Sequence, residues 1–125
     1  MSSRNGMTTQ TMTPLQLKIY TLLQRVPEGM VTTYKELAKA AGTNAYRAVG
    51  QFMRHNPRSF MTCTDQNLRI PCHRVVASDG SIGGFIGDTH GIHIKHKISL
   101  LKLEGIHVRS NKIVHFTQKL YTFPA

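Results

Sequence analysis

Apolar residues return at helical spacing in separate stretches of this chain, divided by short extended pieces and turns. Leu15, Ile19, Leu22 and Leu23, with Val26 close behind, mark one buried helical face. Thr13 ahead of them reads as an N-cap and Pro14 as the first helical residue, while Pro27, Glu28 and Gly29 close the run. Met30, Val31 and Thr32 form a short extended piece. Thr33 and Glu36 then stand at capping-box spacing, which predicts a short helix over residues 34–41, stopped by Gly42. The next helix begins near Asn44 and runs to about His55, because Pro57 forbids its continuation. Two short helices around a tight, glycine-containing turn have the pattern of a helix-turn-helix, and a plain helical hairpin inside a core shares it.

Residues 58–69 are polar and without period, which predicts a long loop. Residues 70–76 read as a turn entering a short apolar strand, and residues 78–81 as another turn. Gly83, Gly84 and Gly87 flank Phe85 and Ile86 in a loop whose backbone can come close to a ligand. A helix over 94–104 follows, its apolar side drawn from Ile98 and Leu101 with Leu100 and Leu103 flanking, and Gly105 closes it. Residues 112–116 form a last strand. The expected fold is mainly α with a short β element, a winged-helix-like helix-turn-helix. Residues 1–12 are a flexible tail and residues 13–125 one domain with a single modest core.

Charge changes this picture more than composition does. Sixteen Lys and Arg face six acids, for a formal net charge of +10. A small domain that basic repels itself, and a polyanionic partner is the usual reason, a merely solubilising surface being the alternative. No run approaches the ~20 apolar residues of a membrane span. The opening residues, Met1 to Gly6, contain no apolar segment of a secretory signal. The expectation is an intracellular, reducing compartment in which Cys63 and Cys72 are free thiols. The seven histidines are scattered, and only Cys72 and His73 are adjacent, so neither a metal site nor a cofactor is expected.

Cys72, His73 and Arg74 follow Pro71 in a turn whose field is locally positive. A thiol in such surroundings ionises more readily, and the thiolate is the nucleophile; a buried, inert cysteine is the plainer reading. Neighbouring side chains on an extended chain point apart, so His73 would reach Cys72 through a water, with Glu104 orienting the imidazole. Glu104 stands near a helix C-terminus, where the helix dipole disfavours an acid.

The stretch Ile70-Pro71-Cys72-His73-Arg74-Val75-Val76 resembles the active-site motif of the O6-alkylguanine-DNA alkyltransferases, the methylated-DNA–protein-cysteine methyltransferases. The resemblance runs from about Leu15 to Val108. Val31 to Ala38 matches the start of that family's helix-turn-helix. Arg47 to Gly50, followed by Met53, Arg54, Asn56 and Pro57, matches its recognition helix and asparagine hinge, and Leu100 to Gly105 its C-terminal helix. The resemblance implies the fold of the family's C-terminal, DNA-binding domain and an irreversible, single-use transfer of an alkyl group from O6-alkylguanine in duplex DNA to Cys72. It implies that His73 is the water-mediated base and Glu104 the third member of the relay. Tyr34 would crowd a phosphate so that the nucleotide rotates out, then donate to the guanine. Arg47 would fill the vacated stack, with the small residues Ala48 and Gly50 letting the helix approach DNA. Asn56 would tie the recognition helix to the active-site turn. The carbonyls of Cys72 and Val75 would accept from the guanine amine, and the Ile86 amide would face the guanine oxygen beside Phe85. The implied partner is double-stranded DNA, met by a monomer in the nucleus or nucleoid, with no membrane involved.

The chain departs from that pattern in places. Only a short tail precedes Thr13, where many members carry a further domain. The stretches from Pro57 to Pro71 and from Phe85 to Lys97 are long. Phe85 stands where many members have tyrosine, and Tyr46 where a small residue usually faces the groove. Three other readings compete. A non-enzymatic lesion binder of the alkyltransferase-like kind carries tryptophan at the acceptor position, and this chain has no tryptophan. A winged-helix regulator leaves Cys72, His73 and Glu104 idle. A cysteine hydrolase lacks an oxyanion site.

Overall fold

Thr13 starts the first helix by a reciprocal cap: its Oγ1 accepts from the Gln16 amide at 3.1 Å while the Gln16 side chain accepts from the Thr13 amide at 3.4 Å. The computed structural model describes residues 12–56, 58, 63, 65, 68–83 and 91–124, and the flexible tail expected over 1–12 lies outside these except for Met12. Helix α1 spans Pro14–Leu23 and buries Ile19, Tyr20, Leu22 and Leu23. Strand β1 is Thr32–Thr33, and Thr33 Oγ1 accepts from the Glu36 amide to start α2, Tyr34–Ala40. Gly42, at φ +76, turns the chain as only glycine does at little cost. Helix α3, Tyr46–Arg54, buries Val49 and Met53. Tyr20 pins it to α1 by donating from its phenol to the Phe52 carbonyl at 2.6 Å.

A 3₁₀ turn, Cys72–Arg74, leads into β2, Val75–Val76. Strand β2 lies parallel to β1, with Thr32 opposite Val75 and Thr33 opposite Val76. That pairing sets the cysteine turn beside the start of the helix-turn-helix. Helix α4 is Ile92–Leu103, and a hairpin follows of β3, Val108–Arg109, and β4, Lys112–Ile113. Short helix α5, Phe116–Lys119, precedes a C-terminal segment that returns to β1: Leu120 bridges Val31, and the Tyr121 amide donates to the Val31 carbonyl at 2.7 Å.

Two apolar clusters result. The larger joins α1, α2 and α3 to Ile70, Cys72, Val75 and Ile94. The smaller gathers Val31, Val76, Ile82, Leu101, Ile106 and Ile113. No helix among the described residues is long and apolar enough to cross a membrane.

Two sequence expectations need correction. The strand expected over 112–116 ends at Ile113, and Phe116 opens a helix that packs against Gly80. Leu103, expected beside the buried face of its helix, is 82% exposed. Lys97 occupies that face instead, alongside Ile94 and Leu101.

Candidate active site

Ile70 is fully buried, and Pro71 hands the chain to the 3₁₀ turn. Cys72, His73 and Arg74 are all buried there. Asn56, two residues past α3, holds the turn from outside. Its Nδ2 donates to the Ile70 carbonyl at 2.9 Å, its Oδ1 accepts from the Arg58 amide at 2.9 Å, and its side chain also bonds the Cys72 thiol. The end of α3 and the cysteine are thereby one mechanical unit.

Glu104 caps α4 and gathers the other two residues of the turn. His73 Nε2 lies 3.1 Å from Glu104 Oε2, Arg74 Nη2 donates to the same oxygen at 2.6 Å, and Arg74 Nε donates to Oε1 at 2.9 Å. Arg74 Nη1 reaches back to the Val26 carbonyl at 2.9 Å. Burial alone would push the Glu104 carboxyl up, but the bonds from His73 and Arg74 win and hold it at about 2. Glu104 is therefore an anion that can only accept, so His73 Nε2 carries the hydrogen between them. Burial pulls the His73 imidazolium below its ordinary value, opposed by Glu104. A neutral ring with its hydrogen on Nε2 leaves Nδ1 as the basic nitrogen.

The thiol departs from the sequence expectation. Burial pushes Cys72 up, and the opposing influences come from Asn56 and Lys97, not from the adjacent His73 and Arg74. The reason is local: His73 is held neutral by burial, and the charge of Arg74 is spent on Glu104. Lys97 takes over the electrostatic role. Its side chain is wholly buried, and its Nζ donates to the Val75 carbonyl at 2.7 Å and the Ile82 carbonyl at 2.6 Å. Burial pulls its ammonium down to about 7, with Cys72 opposing that fall. The carbonyl of Val75 is thus already engaged by Lys97.

Tyr34 directly follows β1, begins α2 and is half-buried. Its hydroxyl lies 3.5 Å from where a Cβ on Gly83 would stand, and Gly83 has φ +69, so a side chain there would be both strained and pressed against the phenol. Arg47 and Tyr46 project from the first turn of α3 into solvent, while Ala48 and Gly50 are half-buried. A Cβ at Gly50 would meet no atom within 4 Å, so nothing inside the fold demands glycine there. Phe85 and Ile86 lie outside the described residues. A separate cavity of about 510 Å³, lined by Glu36, Lys39, Ala40, Thr122, Phe123 and Pro124, contains none of the predicted site residues.

The fold thus brings Asn56, Cys72, His73 and Glu104 together, with Val75 beside them and Tyr34 at the end of β1, against Gly83. Arg47 stands apart on the exposed side of α3. Sequence reasoning missed Lys97 and the pairing of Arg74. A signal for Lys97 was present: Ile94, Lys97, Ile98 and Leu101 stand at i, i+3, i+4 and i+7, which places a lysine on the buried stripe. Among the described residues no group of three or more His, Cys, Asp or Glu is arranged to hold a metal ion.

The fold thus defines a helix-turn-helix domain tied through Asn56 to a buried cysteine turn. The chain belongs to the family of the 6-O-methylguanine DNA methyltransferases, whose DNA-binding-domain model matches residues 14–106. A methylated-DNA–protein-cysteine methyltransferase of Saccharolobus islandicus is 39% identical over 95 residues, covering 76% of this chain and 53% of the relative. The corresponding protein of Metallosphaera sedula is 41% identical over 90 residues, covering 72% and 48%. The chain spans about half the length of these curated relatives. Among solved structures, Schizosaccharomyces pombe Atl1 bound to damaged DNA containing O6-carboxymethylguanine matches with a TM-score of 0.66 at 26% identity, over 90% of this chain and 98% of that one. Mycobacterium tuberculosis OGT in complex with DNA matches at 0.61 and 33% identity, over 75% and 50%.

Proposed function

We propose that this protein repairs alkylated DNA by taking the alkyl group of O6-alkylguanine onto Cys72, once per molecule. The observation that carries this reading is the tautomer imposed on His73: with Nε2–H committed to ionised Glu104, Nδ1 faces the task of accepting a proton. The Cys72 thiol passes its proton through a water to Nδ1. Sulfur then forms the S–C bond as the C–O6 bond breaks, and the departing guanine takes up a proton, for which the Tyr34 hydroxyl is the donor. No further reactant is needed, and the thioether cannot be reversed by water. Guanine O6 lies within the stack, so the nucleotide must leave it, at a cost of a few kcal/mol. Tyr34 crowds the phosphate, and Arg47 occupies the gap, where a guanidinium both stacks and hydrogen-bonds. The carbonyls of Cys72 and Val75 accept from the guanine amine; the roles that the resemblance gives to Phe85 and Ile86 fall outside the described residues. Ala48 and Gly50 let α3 approach the duplex. The protein works as a monomer, on DNA in nucleus or nucleoid, without a cofactor.

A lesion-binding role without transfer is the second reading, favoured by the match to nearly the whole of S. pombe Atl1. Intact-protein mass spectrometry after mixing with duplex bearing O6-methylguanine separates them. Transfer adds one methyl group, mapped to Cys72 and absent from Cys72→Ala. An unchanged mass despite tight binding establishes the lesion binder, and label on Cys63 or repeated turnover refutes single-use transfer to Cys72.

A further inference from the structure

The hairpin β3–β4 lies beyond residue 106, where the family match ends, and it breaks two local rules at once. Its register sets Val108 opposite Ile113 and Arg109 opposite Lys112. The first pair faces inward, with Ile113 buried in the smaller cluster and Val108 packed against it. The second pair faces out, so two cations stand directly opposite each other, an arrangement that destabilises a strand pair unless something anionic is added. Lys112 comes within 3.8 Å of Asp79, but both side chains are more than half exposed, too loose and too hydrated to offset the repulsion. Asp79 also accepts from the amide and hydroxyl of Ser81 at 2.9 and 2.7 Å.

The second breach is in the backbone. Ser110 and Asn111 turn the hairpin with φ of +51 and +66, and His115 follows at +58. These are the non-glycine residues with positive φ among the described residues, and all fall within this short stretch. A two-residue turn with both φ positive is the tight type that favours glycine, and here it is built from serine and asparagine. Strained conformations persist where the surroundings hold them, and they gather at sites of function. The result is a narrow tip carrying a hydroxyl, an amide and two cations.

The tip is also wired to the pocket. Ser81 bridges Lys112, the Ile82 amide donates to the Asn111 carbonyl at 2.9 Å, and the Ile113 amide donates to the Gly80 carbonyl at 2.9 Å. The segment 80–82 thus runs beside β4, joined to it by an isolated bridge and two backbone hydrogen bonds. The carbonyl of Ile82 holds Lys97, and Gly83, next in the chain, lies against Tyr34. The hairpin is therefore separated by this one segment from the residues that wall the proposed guanine site.

We propose that the β3–β4 hairpin is a second DNA contact, in which Arg109 and Lys112 clamp backbone phosphate near the lesion. This rests on the DNA-repair reading above. Phosphate between the two cations turns the cross-strand repulsion into attraction, and its oxygens accept from the Ser110 and Asn111 side chains. Such a contact carries no sequence information and makes binding salt-dependent.

The test measures affinity for undamaged duplex across a series of salt concentrations. Each phosphate neutralised contributes about 0.9 to the slope of log K against log salt. Because the two cations share one phosphate, the double variant should lower the slope by about 0.9, and Arg109→Gln and Lys112→Gln each by a part of that. Asp79→Asn should tighten binding at low salt by removing an anion beside Lys112. Transfer from free O6-benzylguanine, which lacks phosphate, should proceed at the wild-type rate in every variant, showing that fold and thiol are intact. A wild-type slope in the double variant overturns the hairpin contact. Wild-type protein that binds duplex without salt dependence overturns the DNA reading itself, a different result. If the double variant does not fold, the single variants and Asp79→Asn still decide, because each predicts its own change in slope or affinity.

Discussion

Two charged side chains, one within α4 and one at its C-terminal cap, turn into the protein and meet opposite treatment. Glu104, at the helix end, receives hydrogen bonds from a guanidinium and an imidazole and stays ionised down to about pH 2. Lys97, two turns earlier, donates to two carbonyl dipoles, and burial leaves its ammonium titrating at about 7. Both groups lose water. What differs is the field that replaces it: the bonds of Glu104 come from a full opposite charge and from a histidine it polarises, whereas carbonyls stabilise the Lys97 ammonium only partially. The contrast teaches how the site divides its work. One region is a rigid electrostatic anchor that fixes a tautomer, and the other is a responsive cation whose field acts on the Cys72 thiol.

The largest expected effect comes from breaking the anchor. Glu104→Gln should slow transfer about a hundredfold, the low end of what a positioned base contributes. It should cost about 3 kcal/mol of stability, since Arg74 remains buried without its anion. Single-turnover kinetics and denaturant titration check both. The pH dependence carries a sharper signature. Glu104 falls from 4.5 in the unfolded chain to about 2 when folded, so its stabilisation is complete above about pH 4.5 and is lost as pH drops toward 2. The variant should lack that acid limb, and an unchanged acid limb would show that Glu104 is not held as described.

Lys97→Met sharpens the other half. Without the ammonium the Cys72 thiol rises further, so its alkylation by iodoacetamide at neutral pH should slow. The linkage has the opposite sense to that of Glu104. Between about 7 and 10.5 the unfolded chain holds the Lys97 proton and the folded chain does not, so this group makes stability rise with pH across that window. The rise should vanish in the variant. If Lys97→Met leaves the pH profile of Cys72 alkylation in place, the lysine is a strap for two carbonyls and no more.

Smaller effects follow away from the two charges. Asn56→Ala leaves the Ile70 carbonyl without its donor and should cost about 1–2 kcal/mol by denaturant titration. Arg47→Ala should shift stability by less than about 0.5 kcal/mol, since the residue is exposed. It should nevertheless slow transfer from duplex at saturating protein while leaving transfer from a free alkylated base unchanged. Equal wild-type and variant rates on bound duplex would reduce Arg47 to an anchor.

Local chemistry made much of this molecule readable in one dimension. Thr13 and Pro14 start a helix, Thr33 caps the next with Glu36, and Gly42 turns the chain, because caps and left-handed turns depend on residues within four positions of one another. The motif around Cys72 and the spacing of the helix pair carried the family for the same reason. The tertiary structure decided what depends on distance across the chain. It joined Leu120 to Val31, seated Arg74 on Glu104 and so removed its charge from the thiol, and buried Lys97 at the stripe position the sequence reading had passed over. A sequence states which groups can ionise. Desolvation and long-range partners determine which of them do, and those exist only once the chain has folded.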